Sequence, residues 1–384
     1  MSQQRYYSLD VFRGATVALM ILVNNPGSWA HIFSPLEHAS WHGCTPTDLV
    51  FPFFLFAVGN ALSFVMPKLQ NASAAQFWSK IIKRTILIFA IGLFLNWSPF
   101  VKWSDAGLIF KPWENVRLLG VLQRIALCYF FASIIIYYGK SRIALFIGMM
   151  ILVIYWVLTY ALGAAGHPFS LTGYFGNNID QSIIGINHLY KGEGVPFDPE
   201  GLTSTFPAIV QVILGFLVGE YIQLKGKNYE MLAQLLLTGV LLVLVGYIWD
   251  FSFPINKKIW TSSYVLYNSG LAMITLGMLI YLLEFKNGKG AWSQFFDVFG
   301  KNPLFVFVLS GFLPRILALW RWVDHEDAEG KPVYTSVLPW FYEHICKNIT
   351  SDLRIGSFVY AICIIAFFGI LSYYLDKKKI YIKV

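Results

Sequence analysis

His38 and Asp48 are the residues of this 384-residue chain whose types and spacing most directly offer chemistry. Near neutral pH an imidazole takes up a proton and returns it. A carboxylate beside it can accept a hydrogen bond from one ring nitrogen and so fix which nitrogen stays free. Acyl transfer to an amine or hydroxyl needs such a base, because the acceptor loses a proton as it attacks the acyl carbon. His42 lies in the same loop with the same chemistry, and spacing does not choose between the two histidines. Asp48 has a second reading. Thr45 is a natural helix N-cap, Pro46 suits the first helical position, and Asp48 falls where its carboxylate reaches back to the cap. Asn24, in LVNNPG, can donate to a developing oxyanion, or it can simply help end a helix.

Basic residues form a second set. Asp10 and Arg13, in SLDVFRG, are spaced to pair on a helix, and Arg13 is also a candidate for phosphates. Gln123 and Arg124, in LLGVLQRIAL, sit well inside an apolar segment. A guanidinium there demands an anionic partner, either a carboxylate or a ligand phosphate. Lys257 and Trp260, in PINKKIW, read as interfacial anchors, and tryptophans such as Trp41 as an interface belt or a surface on which a sugar stacks. Four cysteines without CxxC spacing give no expectation of a metal site. Neither a phosphate-cradling glycine loop nor a nucleophile elbow is present.

Composition says what must position these groups. Hydrophobic residues make up 57% of the chain and charged residues 13%, and mean hydropathy is +0.58. A soluble domain carries roughly 25% charged residues, so lipid must cover much of this surface. The expected fold is an all-α polytopic membrane protein, one transmembrane domain over residues 1–384. Ten segments are long and apolar enough to span: residues 9–27, 46–66, 80–97, 117–137, 143–163, 204–222, 231–250, 262–283, 296–313 and 355–374. A cleavable leader is not expected, since Arg5 leads straight into the first of them.

The net charge of +8 is a topology signal and gives no expectation of nucleic acid. Lys68, Lys80, Lys83 and Arg84, then Lys140 and Arg142, Lys225 and Lys227, Lys286 and Lys289, and Lys377 to Lys379 and Lys383 occupy one alternating set of connections. The other set is longer and mixed in charge, with Asp105, Glu114, Asp198, Glu200, Asp324, Glu326 and Asp327. The basic set and both termini are therefore expected on the cytoplasmic side, and the His38 loop on the opposite side. The long connection at residues 164–203, with PFDPEG, and that at 314–354 are long enough to be functional. On spacing alone, enzyme and transporter are nearly equal.

Several blocks in order resemble the heparan-α-glucosaminide N-acetyltransferase family, within a broader group of transmembrane acyltransferases. They are SLDVFRG, LMILVNNPG, HASWHGCTPTDLVFPFFLFAVG, LLGVLQRIAL, FDPEGLTSTFPAIVQVILGFLVGE, PINKKIWTSSYVL and FGKNPLFVFV, from about residue 7 to residue 310. The resemblance implies a membrane acetyltransferase that takes acetyl-CoA from the cytosol and passes the acetyl group to an acceptor across the membrane. In the lysosomal enzyme that acceptor is the terminal glucosamine amine of heparan sulfate. The family's catalytic histidine lies in HASW, which is His38 here and not His42; its VN asparagine is Asn24, and its acid is Asp48. The position of His42 usually holds Asn in the family.

The expectation is thus an acyltransferase in a bacterial inner membrane, with acetyl-CoA as co-substrate and an amino sugar or glycan as acceptor. His38 is the base or acyl carrier. Arg13, Gln123, Arg124 and Asn302 are candidates for holding acetyl-CoA, and Trp41, Lys257 and Trp260 for the acceptor side. O-acetylation of an envelope polysaccharide and transport of acylated sugars are the alternatives, and a homodimer stays open.

Overall fold

The computed structural model describes residues 6–104 and 106–382. Arg5, Asp105 and Lys383, named above, lie outside the described residues. Twelve α-helices carry the fold: α1 (Tyr7–Asn24), α2 (Val50–Gln70), α3 (Ala74–Trp97), α4 (Val121–Leu162), α5 (Phe175–Ile184), α6 (Leu202–Lys225), α7 (Tyr229–Asp250), α8 (Ser262–Ile280), α9 (Ala291–Lys301), α10 (Pro303–Leu317), α11 (Val337–Phe341) and α12 (Leu353–Lys377). Two antiparallel hairpins depart from the all-helical expectation. They pair β1 (Val101–Ser104) with β2 (Gly107–Phe110), and β3 (Arg321–Glu326) with β4 (Pro332–Ser336). Both fall in long connections, where backbone groups that no helix satisfies must pair with one another. They meet where Arg321 stacks on Trp103, 3.9 Å from the ring centre.

Every segment expected to span falls on helix, but the spans do not count simply. Among the described residues, seven helices are long and apolar enough to cross a membrane, or eight if α9 and α10 together form one. Three features separate that from ten. The 42-residue α4 covers two expected segments and breaks at Lys140, whose φ of 54° is left-handed. The first half of α3 carries Lys80, Lys83 and Arg84. The α9–α10 pair bends by 82° at Asn302, because Pro303 disfavours helical backbone in the residue before it.

Burial separates centre from periphery. The apolar stretch of α6 is 83% buried inside the protein and that of α2 72%, against 28% for α4 and for α7. The outward faces of α4 and α7 are apolar, as lipid contact requires. α2 and α6 pack against each other through small residues, as helices do where lipid offers no hydrophobic drive. A Cβ on Gly59 would lie 2.0 Å from the Val212 carbonyl oxygen, and one on Gly215 2.1 Å from that of Phe56. The ends of the chain meet at one end of the bundle. Arg13 Nε donates to the Gly300 carbonyl at 2.8 Å, and Lys301 bridges Asp297 and Asp376 at 2.8 and 2.9 Å.

Candidate active site

At the other end of α1 a loop runs from residue 25 to residue 45 and turns into α2 through a 3₁₀ turn at Pro46–Leu49. Asp48 is 1% exposed and satisfies this whole corner. Its Oδ2 accepts from the backbone N–H of Ala39 (3.0 Å), the N–H of Thr45 (3.1 Å) and Thr45 Oγ1 (3.1 Å). Its Oδ1 faces His38 Nδ1 at 2.7 Å. The capping duty and the histidine-orienting duty coexist, one on each oxygen. With Nδ1–H donating to Asp48, Nε2 of His38 carries the free lone pair.

A second loop, residues 251–261, closes over the first. Gly43 bridges to Asn256 and donates its N–H to the Ile255 carbonyl at 2.7 Å. Gly43 has φ +104°, which favours glycine. This clamp delivers Lys257 Nζ to 2.9 Å from His38 Nδ1, 3.3 Å from Nε2 and 3.4 Å from Asp48 Oδ1. Burial pushes the Lys257 ammonium below its ordinary value, while Asp48 and Glu200 oppose that shift. The clamp also separates the two histidines. His42 Nδ1 faces the Asn256 amide at 3.3 Å and holds the loops together. Burial pushes its pKa down. The cavity is lined by His38, not His42.

The cavity measures about 290 Å³, and His38, Asp48, Asn24, Trp41 and Lys257 all line it. Asn24 ends α1, but Asn25 makes the helix-ending bond, Nδ2 to the Ile21 carbonyl at 2.9 Å. The Asn24 amide is exposed and has no hydrogen-bond partner among the described residues. Trp41 is fixed by Nε1–H donation to the Phe169 carbonyl at 2.8 Å. Beside it, Lys258 Nζ donates to Glu193 at 2.6 Å and to the Ser40 carbonyl at 2.8 Å. Cys44, beneath the loop, has its thiol pushed up to about 12 by burial, so it is no nucleophile at neutral pH.

Arg117, Asp198 and Glu200 form a group that sequence reasoning missed. Arg117 Nε and Nη2 grip Asp198 at 2.8 and 2.5 Å, and Nη2 also meets Glu200. Arg117 and Glu200 line the His38 cavity with Tyr190 and Glu193. The available signal was FDPEG, two acids either side of Pro199 in a long connection. Arg117 also lines two adjoining cavities, one reaching Asn96, Gln123 and Arg315, the other Lys102, Lys111 and Lys191.

The remaining expected residues are not brought to His38. Arg13 lines a separate cavity of about 230 Å³ with Tyr6 and Asn60. It sits eleven residues before Asn24 on α1, about 16 Å at the helical rise of ~1.5 Å per residue. Arg124 is buried and donates to the Gly201 carbonyl at 3.1 Å and to Ser204 Oγ. Its guanidinium lies 5.0 Å from the centre of the Trp260 ring. Trp260 is 1% exposed and packs behind Phe51, so it backs the cavity and does not line it. Asn302 is fully buried and binds the C-terminal segment, Nδ2 to the Ile380 carbonyl at 3.0 Å and Oδ1 from Ile382 N–H at 2.8 Å.

A family profile described as a domain of unknown function (DUF5009) matches residues 5–111, which hold α1, the His38 loop, α2 and α3. The chain is 26% identical to the heparan-alpha-glucosaminide N-acetyltransferase of Mus musculus over 449 aligned residues, covering 100% of this chain and 61% of that protein. It is 27% identical to the Homo sapiens protein of the same name over 446 residues, covering 99% and 60%. The chain is a distant relative of these acetyltransferases. It spans about 60% of their length. The aligned region extends beyond the profile match over essentially the whole chain.

Proposed function

We propose that this protein is a membrane acetyltransferase that moves an acetyl group from cytoplasmic acetyl-CoA to the amine of an amino sugar on the opposite side. Residues 1–384 act as one domain with ten spans and both termini cytoplasmic, in a bacterial inner membrane. The observation that carries the reading is the His38–Asp48 pair at 2.7 Å, inside a cavity that also holds Asn24. Whole-chain similarity to N-acetyltransferases supports the reaction class.

In this reading Asp48 holds Nδ1–H, and Nε2 takes the proton from the acceptor nitrogen as it attacks the acetyl carbon. The C–S bond breaks, and the thiolate leaves with its electron pair. Asn24 donates its amide to the oxyanion that forms on the acetyl oxygen. Of the four residues expected to hold acetyl-CoA, Arg13 supports the reading best, because it lines a cavity at the end where the chain ends meet. Gln123 lines the cavity next to Asn24, Arg124 is buried with its Nε and Nη1 lacking protein partners among the described residues, and Asn302 is engaged with the C-terminal segment.

The test is transfer from labelled acetyl-CoA to glucosamine by purified protein in detergent, with His38→Ala alongside. Labelled N-acetylglucosamine from the wild type and none from the variant is the expected result. Equal rates would remove His38 from the chemistry. Saturable acetyl-CoA binding without product would move the acceptor from an amine to a hydroxyl.

A further inference from the structure

Lys257 is a primary amine held against the proposed base. The loop that carries it is fixed at several points. Asp250 accepts from Ile255 N–H at 2.5 Å, Asn256 N–H donates to Thr261 Oγ1 at 3.0 Å, and Gly43 clamps the loop from the other side. Its Nζ is therefore built into the cavity, 2.9 and 3.3 Å from the two ring nitrogens of His38. Its acidic neighbour is a shared one. Asp48 Oδ2 is saturated by Ala39 and Thr45, and Oδ1 already serves His38 at 2.7 Å while Lys257 stands at 3.4 Å. Burial favours the neutral amine, against the pull of Asp48 and Glu200. Lys258 is an internal control, since the adjacent residue holds a close ion pair with Glu193 at 2.6 Å.

An acetyl group delivered to His38 is also delivered to Lys257. We propose that Lys257 is acetylated by the protein itself when no acceptor fills the cavity. The proposal rests on the acetyltransferase reading above. In the direct route, neutral Nζ attacks the thioester carbon, the new C–N bond replaces C–S, and the amine's proton passes through His38 to the departing thiolate. If the acetyl group first rests on His38 Nε2, Nζ attacks the same carbon, the imidazole leaves, and it recovers the proton that Nζ loses. Well-oriented intramolecular reactions reach effective molarities on the order of 10⁵–10⁸ M. The resulting amide is uncharged, gives up the Asp48 contact and fills space beside His38, so the acetylated protein no longer turns over.

The experiment incubates the purified full chain in detergent with deuterated acetyl-CoA and maps peptides by mass. Label on Lys257 and not on Lys258, suppressed by added glucosamine and absent from that peptide in Lys257→Arg, is the expected result. Turnover with acceptor but no label on Lys257 without it overturns the proposal. A second arm uses N-hydroxysuccinimidyl acetate, which needs no recognition of coenzyme A. Lys257 should react severalfold faster than Lys258, and equal or slower labelling overturns the proposal. Failure to transfer acetyl from acetyl-CoA to any acceptor counts against the functional reading, and the reagent arm then still decides the reactivity of Lys257.

Discussion

Asp48 supplies two oxygens with separate duties, so two substitutions should separate them. Asp48→Asn keeps an acceptor for the Thr45 N–H yet cannot favour the same histidine tautomer. Transfer should fall by about 10²-fold or more with a small change in thermal midpoint. Asp48→Ala removes the cap as well and should cost about 1 kcal/mol of stability beyond that; calorimetry beside rate measurements reads both. If both variants lost rate and stability equally, the division between the oxygens would be wrong. Arg117 has a different kind of value. Arg117→Met strands Asp198, which is 2% exposed, without its cation, and should cost about 3–5 kcal/mol. Adding Asp198→Asn should recover much of that loss in a double-mutant cycle. At this scale the sequence was legible where partners are close along the chain. His38 and Asp48 are ten residues apart within one loop-to-helix corner. Arg117 and its acids are 81 and 83 residues apart, and no local pattern connects them. The division of labour between Asn24 and Asn25 was equally hidden, because both fit a helix end.

α2 and α6 are the elements on which the site stands. α2 begins at the Asp48 corner, and α6 begins two residues after Glu200. Their close approach leaves no room at Gly215, so Gly215→Leu should prevent normal assembly. Loss of a monodisperse peak in detergent chromatography is the expected readout, and an unaltered profile with full activity would contradict it. The start of α6 is also held by a buried carboxyl on α5. Asp180 accepts from Thr203 N–H and Oγ1, both at 3.1 Å, and burial pushes its pKa from 3.8 up to about 6. Its folded value lies above its unfolded one. The penalty for charging it is absent below about pH 4 and complete above pH 6, so stability falls as pH rises through that window. Asp180→Asn should flatten this slope, gaining on the order of 3 kcal/mol relative to wild type between pH 4 and 7. Melting curves across that range test the sign. Hydrophobic runs revealed where the helices lie and that the α4 region divides near Lys140, but not the break at Asn302 or the two hairpins. Periodicity reports which residues prefer helix, while breaks and hairpins follow from what the neighbouring elements leave unsatisfied.

Across the whole molecule, charge is distributed unevenly around the reaction cavity. Within it each cation has an acid: Lys257 has Asp48, Lys258 has Glu193, and Arg117 has Asp198 and Glu200. Beyond Arg117 the balance is lost. Lys102, Lys111, Lys191 and Arg315 line the adjoining cavities, and among the described residues no carboxylate does. A field of one sign at the mouth raises the local concentration of opposite charge and weakens with salt. Under the proposed function, a phosphorylated or carboxylated amino sugar should therefore outcompete glucosamine at low ionic strength. Lys111→Gln with Lys191→Gln should narrow the gap, and a preference indifferent to salt would count against this role. Under the proposed function, the lysine distribution favours a cytoplasmic side for the connection at residues 286–289 and the opposite side for the His38 loop. Accessibility labelling of single cysteines at the His38 loop and at residues 286–289 would decide it.

Asn302 has a practical consequence. The last described residues are stitched by two hydrogen bonds to the break between α9 and α10, and α9 lies against the start of α1. A purification tag fused directly after them would pull on that stitch and, through Gly300, on Arg13. The turn between β3 and β4 ends in Gly330, is fully outward-facing and closes on itself through Asp327 and Lys331. An epitope inserted there would leave both ends of the bundle undisturbed, and it gives antibodies or fiducial binders a handle on an otherwise lipid-wrapped molecule.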